Sequence, residues 1–181
     1  LEGDVGSGKT VVAAMAALSA IKNGYQVAFM APTEILAKQH FGSLTKLLEK
    51  FDVRIGFLTG KESLVHIEGN VADISKKELL ESLKEGDIDI LIGTHALISK
   101  GVEFKALALV VLDEQHRFGV SQRSELVQGR KLVPHLLSMT ATPIARTLAL
   151  TVYGDLDLSL ITEMPKDRKK VKTLIVDPTE R

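Results

Sequence analysis

The chain has no cysteine and no tryptophan, and aromatic residues make up only 4% of its 181 positions. Without cysteine there are no disulfides and no cysteine-ligated metals, which fits a reducing cytosol. The 23 basic and 23 acidic residues cancel, so any nucleic-acid binding must come from local patches and backbone groups. The longest apolar run, residues 11–21, is too short to span a bilayer. We therefore expect a cytoplasmic globular protein.

Helical and strand patterns alternate along the chain. This rhythm predicts an α/β fold with a doubly wound, mostly parallel sheet covered on both faces, in which ligands bind at the carboxyl ends of the strands. Residues 60–73 are predicted to be irregular. The predicted helices are 9–23, 34–50, 75–84, 121–128 and 143–152. The predicted strands are 25–30, 53–58, 88–92, 107–112, 135–139, 156–161 and 171–176.

The first motif is a glycine-rich loop that fits the phosphate-binding pattern G-x-x-x-x-G-K-[ST]. Glycines allow a tight turn whose backbone N–H groups approach phosphate oxygens. Lys9 would reach the β- and γ-phosphates of ATP, and the Thr10 hydroxyl would hold Mg²⁺. The alternative is a glycine-rich turn with no ligand. The predicted nucleotide-binding residues are Gly3, Asp4, Val5, Gly6, Ser7, Gly8, Lys9 and Thr10.

The strand that should precede this loop is short. Only Leu1 and Glu2 come before Gly3, so the sheet is expected to be truncated at its N-terminal strand. We expect the loop to be poorly ordered or held by something outside the chain.

An acidic pair follows the apolar strand at 107–112. Asp113 is placed to bind Mg²⁺, directly or through water, as the partner of Thr10. Glu114 is placed to orient and deprotonate the attacking water. His116 would sense the γ-phosphate and complete a catalytic set with Lys9, although a lone histidine is also compatible with a simple polar contact. The alternative for the acidic pair is a solvated turn at a strand end.

Two hydroxyls follow the next strand. Thr140 and Thr142 are spaced by two, so they lie on one side of an extended segment and would couple the acidic motif to domain motion. Thr142 precedes Pro143, so it would equally serve as a helix cap. The residues alone leave both interpretations open.

Together these segments resemble the five N-terminal motifs of superfamily 2 helicases, in the right order. Motif I corresponds to residues 3–10, Ia to 31–40, Ib to 93–97, II to 113–116 and III to 140–142. The resemblance covers essentially the whole chain and implies the first of two RecA-like motor domains. We assign residues 1–165 to this domain and 166–181 to a linker.

Within this superfamily the chain most resembles the RecG family of branch-migrating DNA helicases. The resemblance lies in residues 113–120, 122–123, 141–151 and 153–157, together with Glu163 and Pro165. Ala145 departs from the family, which usually has proline there. The Mfd family of transcription-repair coupling translocases shares part of this pattern and is the nearest alternative.

The RecG resemblance implies ATP-driven translocation on branched or forked double-stranded DNA. Pro32, Thr33, Thr94 and His95 would then line the DNA path, gripping phosphates without reading sequence. A strand-to-helix turn capped by Thr33 is the simpler interpretation of the first pair. The other partners would be a second RecA-like domain, which carries an arginine finger, and a wedge domain.

Without that finger, we expect the chain alone to hydrolyse ATP negligibly. A nucleotide-binding scaffold without turnover and a phosphotransferase are the competing classes. Glu114 argues against the scaffold, because a pure binder needs no water-orienting acid. No signal for an acceptor-substrate pocket supports a phosphotransferase.

Overall fold

The computed structural model describes residues 1–99, 101–113, 133–141 and 157–163, in which helices and strands alternate. The predicted elements at 121–128, 143–152 and 171–176 lie outside these residues, as does the linker assigned to 166–181. The helices are α1 (Lys9–Lys22), α2 (Glu34–Leu47) and α3 (Lys76–Glu85), and a 3₁₀ turn covers His95–Ile98. The strands are β1 (Glu2–Gly3), β2 (Gln26–Met30), β3 (Ile55–Leu58), β4 (Ser63–Ile67), β5 (Asn70–Asp73), β6 (Ile90–Gly93), β7 (Leu107–Asp113), β8 (His135–Met139) and β9 (Leu160–Ile161).

The sheet confirms the predicted fold class. Seven strands lie in the order β5-β4-β3-β6-β2-β7-β8, and β3, β6, β2, β7 and β8 are all parallel. A parallel bridge between Glu2 and Thr140 places the β1-β9 pair beside β8. The carboxyl ends of these parallel strands therefore share one edge, and all five predicted motifs follow strands that end there.

Helices cover both faces of this sheet. Successive residues of β2 alternate between two apolar cores, with Phe29 in one and Met30 in the other. The first core is built with α1 and α2, which contribute small residues such as Ala17 and larger ones such as Leu44. The second is closed by α3 through Leu79 and Leu83. Strands buried on both faces explain the near-continuous apolar runs in the sequence.

The short β1 is held from both sides by the chain itself. Gly3 N donates to Thr140 O at 3.3 Å, and Thr140 N donates to Leu1 O at 3.1 Å. On the other side, Glu2 N donates to Ser159 O at 2.8 Å. This differs from the expectation of a loop that depends on support from outside the chain. Two residues suffice here because each side of the strand finds backbone partners.

The prediction that residues 60–73 are irregular is wrong. They contain the whole of the antiparallel hairpin β4–β5, in which Ile67 pairs with Asn70 across a two-residue turn. Both turn residues have positive φ, 49° at Glu68 and 80° at Gly69. That is the backbone of a type I′ turn, which matches the twist of the strands it joins. The hairpin extends the sheet beyond β3 and places β5 at its edge.

Within the described residues, no helix has the length and apolar character that crossing a membrane requires.

Candidate nucleotide site

The glycine-rich loop forms a closed turn between β1 and α1. Gly8 immediately precedes the helix at a φ of 97°, a conformation that side chains strongly disfavour. A Cβ on Gly3 would lie 2.6 Å from Ser7 Oγ and 3.3 Å from Ile161 O, so a side chain at that position would crowd the loop and β9. Ser7 N donates to Asp4 O at 3.1 Å across the turn. Val5 and Gly6 lie exposed at its tip.

The side chain of Lys9 folds back into this loop. Its Nζ donates to Gly3 O at 2.7 Å and to Asp4 O at 2.9 Å. Ser7 Oγ is buried and has no hydrogen-bond partner among the described residues. An ammonium and an unpaired buried hydroxyl around one turn are donors suited to an anion, and such orphaned groups call for an explanation. The loop therefore fits the phosphates of a nucleotide.

Asp113 ends β7 at the same edge of the sheet as the loop. It pairs with Met139 of β8, and the next residue, Thr140, bridges to Glu2 of β1. One strand thus separates Asp113 from the loop, and two inter-strand spacings amount to about 10 Å between backbones. The loop and Asp113 therefore lie at neighbouring positions along the same sheet edge.

No cluster of three or more His, Asp or Glu side chains able to hold a metal occurs in the described part of the chain. Mg²⁺ at nucleotide sites is generally held by one or two protein ligands together with phosphates and water. Thr10, in the first turn of α1, and Asp113 are the predicted protein ligands.

Residues 114, 116 and 142 lie outside the described residues, so the predicted roles of Glu114, His116 and Thr142 stay predictions. Thr140 is buried, and its backbone bonds join β8 to β1. It therefore lies between the strand that carries Asp113 and the strand that carries the loop. That location is the one that a coupling residue would need.

One contact at this edge was not predicted from the sequence. His40 Nε2 lies 2.6 Å from Asp113 Oδ2, and the imidazole packs on Phe29 with ring centroids 4.7 Å apart. Residues 31–40 were identified as motif Ia, but no role was assigned to His40. The available signal was its position on the apolar stripe of α2, between Ala37 and Leu44.

The predicted DNA-contacting residues follow two adjacent strands. Pro32 and Thr33 come after β2, and Thr94 and His95 after β6; Ala31 N donates to Gly93 O at 2.9 Å and joins the two segments. Thr33 Oγ1 accepts from Leu36 N at 3.3 Å and caps α2, so the simpler interpretation of Thr33 is confirmed. His95 is exposed, whereas Thr94 is buried.

The family model for DEAD/DEAH box helicases matches residues 1–151 of the chain. The chain belongs to this family. It is 57% identical over 173 residues to the ATP-dependent DNA helicase RecG of Bacillus subtilis and 52% identical over 174 residues to that of Aquifex aeolicus. Each alignment covers 96% of the chain but only 24% and 21% of these relatives, so the chain spans about a quarter or less of their length.

Solved structures agree with this family membership. A structure of RecG bound to a three-way DNA junction is 41% identical with a TM-score of 0.73, covering 94% of this chain and 21% of that one. A DEAD box protein from Methanococcus jannaschii has a TM-score of 0.61 at 20% identity, covering 88% of this chain and 44% of that one, and shows the fold alone. The domain is the RecA-like helicase type, as the sequence predicted.

Proposed function

We propose that this chain is the ATP-binding and hydrolysing motor domain of a RecG-type DNA helicase that remodels branched DNA and stalled replication forks, acting in DNA repair and recombination. The observation that carries the proposal is the meeting of the Lys9 loop and Asp113 at one sheet edge, a single strand apart. The identity to RecG proteins across nearly the whole chain favours this helicase over the Mfd-type alternative.

The chain's own residues would divide the work at this site. Lys9 would release the two loop carbonyls that it now contacts and bind phosphate oxygens together with the loop N–H groups. Thr10 and Asp113 would hold Mg²⁺, and Glu114 would orient a water molecule and accept its proton. When bound, ATP supplies the reactive phosphoanhydride, and Mg²⁺ neutralises charge on its phosphates.

Thr140 and Thr142 would transmit the state of this site to the neighbouring domain, and His116 would respond to the γ-phosphate. Support for Thr140 comes from its backbone bonds to β1, because any shift of β8 relative to the loop strand must change them.

The DNA path would run across the ends of β2 and β6. Thr33 and the start of α2 offer backbone N–H groups, and His95 offers an exposed ring, both suited to phosphates. The buried hydroxyl of Thr94 would contribute through its neighbouring backbone rather than directly. The solved RecG relative binds a three-way DNA junction, which supports branched double-stranded DNA as the partner of this chain.

The other proposed partners are a second RecA-like domain, which would supply an arginine finger, and a wedge domain that engages the junction. The chain's short share of its relatives' length leaves room for both. The proposed location is the bacterial cytoplasm, with the nucleoid. No membrane partner is proposed.

Two substitutions in a full-length RecG carrying this chain test the proposal. Lys9→Ala should weaken binding of a fluorescent ATP analogue roughly 10- to 100-fold, since it removes charge-assisted hydrogen bonds to phosphate. Lys46→Ala is the matched control, because it removes an exposed lysine near the end of α2, away from the loop.

Glu114→Gln should leave nucleotide binding intact and lower DNA-stimulated ATP hydrolysis by about 100-fold or more, the contribution expected of a general base. Glu49→Gln, at an exposed position after α2, is its control. Full hydrolysis in Glu114→Gln would remove the base assignment. Nucleotide binding without DNA-stimulated hydrolysis in the unsubstituted protein would favour a binding module instead.

A further inference from the structure

His40 is a polar residue on an otherwise apolar face of α2. Its neighbours on that face include Ala37, Phe41 and Leu44, all buried in the core below the sheet edge. The His40 side chain is only 11% exposed, and that of its partner Asp113 is 14% exposed. The contact between them is therefore shielded from water at the edge where the nucleotide site is assigned.

The contact fixes one oxygen of the carboxylate. His40 Nε2–H donates to Asp113 Oδ2 at 2.6 Å, and no described residue forms a hydrogen bond with the other oxygen, Oδ1. Packing of the imidazole on Phe29 restrains the ring, so the direction of the donated bond is set as well. A carboxylate held by one oxygen presents the second in a defined direction, which is the arrangement that a cation ligand requires.

Fold stability does not adequately explain why His40 and Asp113 form a buried contact. Taking a histidine and a carboxylate out of water carries a desolvation cost, and a well-packed apolar pair at such positions is commonly as stable or more stable. The other core residues of α2 are apolar, so the histidine departs from the pattern that packing alone would produce.

We propose that His40 is a positioning residue that orients the Asp113 carboxylate toward the magnesium-bound nucleotide. The inference rests on the proposed function, since it takes Asp113 as the acid that holds Mg²⁺. Pro32 and Thr33 of motif Ia are proposed to contact DNA, whereas His40 of the same motif would act on the nucleotide side of the domain.

The test is a Mg²⁺ titration of a full-length RecG carrying this chain, with a fluorescent ADP bound and MgCl₂ as the probe. His40→Phe keeps a ring against Phe29 and removes the donor, so the apparent Mg²⁺ affinity should fall about 10-fold or more. His40→Gln places an amide N–H near the position of Nε2 and should recover most of that affinity. Nucleotide binding without Mg²⁺ should be unchanged in both.

His66→Phe is the matched control. His66 is also buried, but it lies on β4 and its Nδ1 has no partner among the described residues. Replacing it should leave the Mg²⁺ titration unchanged. If His40→Phe fails to fold in a thermal melt, His40→Asn takes its place, because its shorter amide does not reach Asp113.

A double substitution separates positioning from a general structural effect. In an Asp113→Asn background, His40→Phe should add nothing further to the loss of Mg²⁺ affinity, because it acts through that carboxylate. Full additivity, or an unchanged titration in a folded His40→Phe protein, would overturn the inference. If Asp113→Asn itself leaves the titration unchanged, the metal assignment in the proposed function fails as well.

Discussion

The buried amide of Gln26 gives the sharpest stability prediction. Its Nε2 donates to Leu83 O at 2.8 Å and to Ile88 O at 2.7 Å, and its Oε1 accepts from Ala106 N at 3.0 Å. One side chain at the start of β2 thus satisfies three backbone groups, which belong to the end of α3 and to the segments entering β6 and β7. Gln26 itself is 4% exposed.

Gln26→Leu removes all three bonds while keeping a side chain of similar size. Leu83 O keeps its bond from Gly86 N, so the substitution leaves two backbone groups unpaired, Ile88 O and Ala106 N. Each buried group left unpaired costs about 1–3 kcal/mol, which gives a loss of roughly 2–6 kcal/mol. For a domain of this length about 2–4 °C of melting temperature is lost per kcal/mol, which gives a fall of ~4 to ~24 °C.

Thermal and urea unfolding of the 181-residue chain, followed by circular dichroism, measure this effect. Asn23→Ala is the control, because its amide donates a single exposed bond to Ser19 O and its loss should cost under about 1 kcal/mol. If Gln26→Leu and Asn23→Ala unfold at the same temperature, the reasoning from buried unpaired groups is refuted.

Three further predictions follow from the same structure. A Cβ on Gly93 would collide with Leu58 O of the neighbouring strand, so Gly93→Ala should cost about 1–3 kcal/mol or more in urea unfolding. Hydrogen bonds from Ser75 lower the pKa of Glu78 from its ordinary value of 4.5. The capping box therefore stabilises the fold at pH values above 4.5, and this stabilisation is lost as the pH falls through the lowered pKa. Glu78→Gln should abolish that part of the pH dependence of the unfolding free energy. The purified chain should hydrolyse ATP about 10³-fold or more slowly than a full-length RecG, as measured by phosphate release, because the proposed arginine finger would come from the second RecA-like domain; equal rates would contradict this.

The parallel sheet was predictable because its strands carry strong local signals. Residues 27–30 and 107–112 are continuous apolar runs, and both proved to lie in interior strands of the sheet. The helix predicted over 75–84 was also found as α3, and in the structure Ser75 and Glu78 form a capping box at its start. Helix and strand bounds differed from prediction mainly by a few residues at their ends.

The hairpin β4–β5 was missed for physical reasons. Its turn uses Glu68 and Gly69 rather than the asparagine–glycine pair that marks a type I′ turn most strongly. All four residues of β5 are exposed, so the strand lacks the alternation of apolar and polar residues that would predict it. β5 forms a strand because it pairs with β4, and the local sequence of residues 70–73 does not predict that pairing.

Part of the candidate site was likewise predictable from the sequence, and part of it was not. The glycine-rich loop and Asp113 stand out in the sequence because their residue types and their places after strands are informative. The contact between His40 and Asp113 joins residues 73 positions apart, and its only local sign is a histidine on an apolar helix face. Such a sign commonly marks an ordinary core residue, so coordinates were needed to find the partner.

A crystal structure of the chain with magnesium and a non-hydrolysable ATP analogue tests the central claim most directly. We expect one nucleotide in the loop, with Lys9 Nζ moved from Gly3 O and Asp4 O onto phosphate oxygens. Thr10 and Asp113 should both contact the same magnesium ion, directly or through one water. A nucleotide bound elsewhere, or a metal that leaves Asp113 without contact while Lys9 keeps its present bonds, would contradict the account.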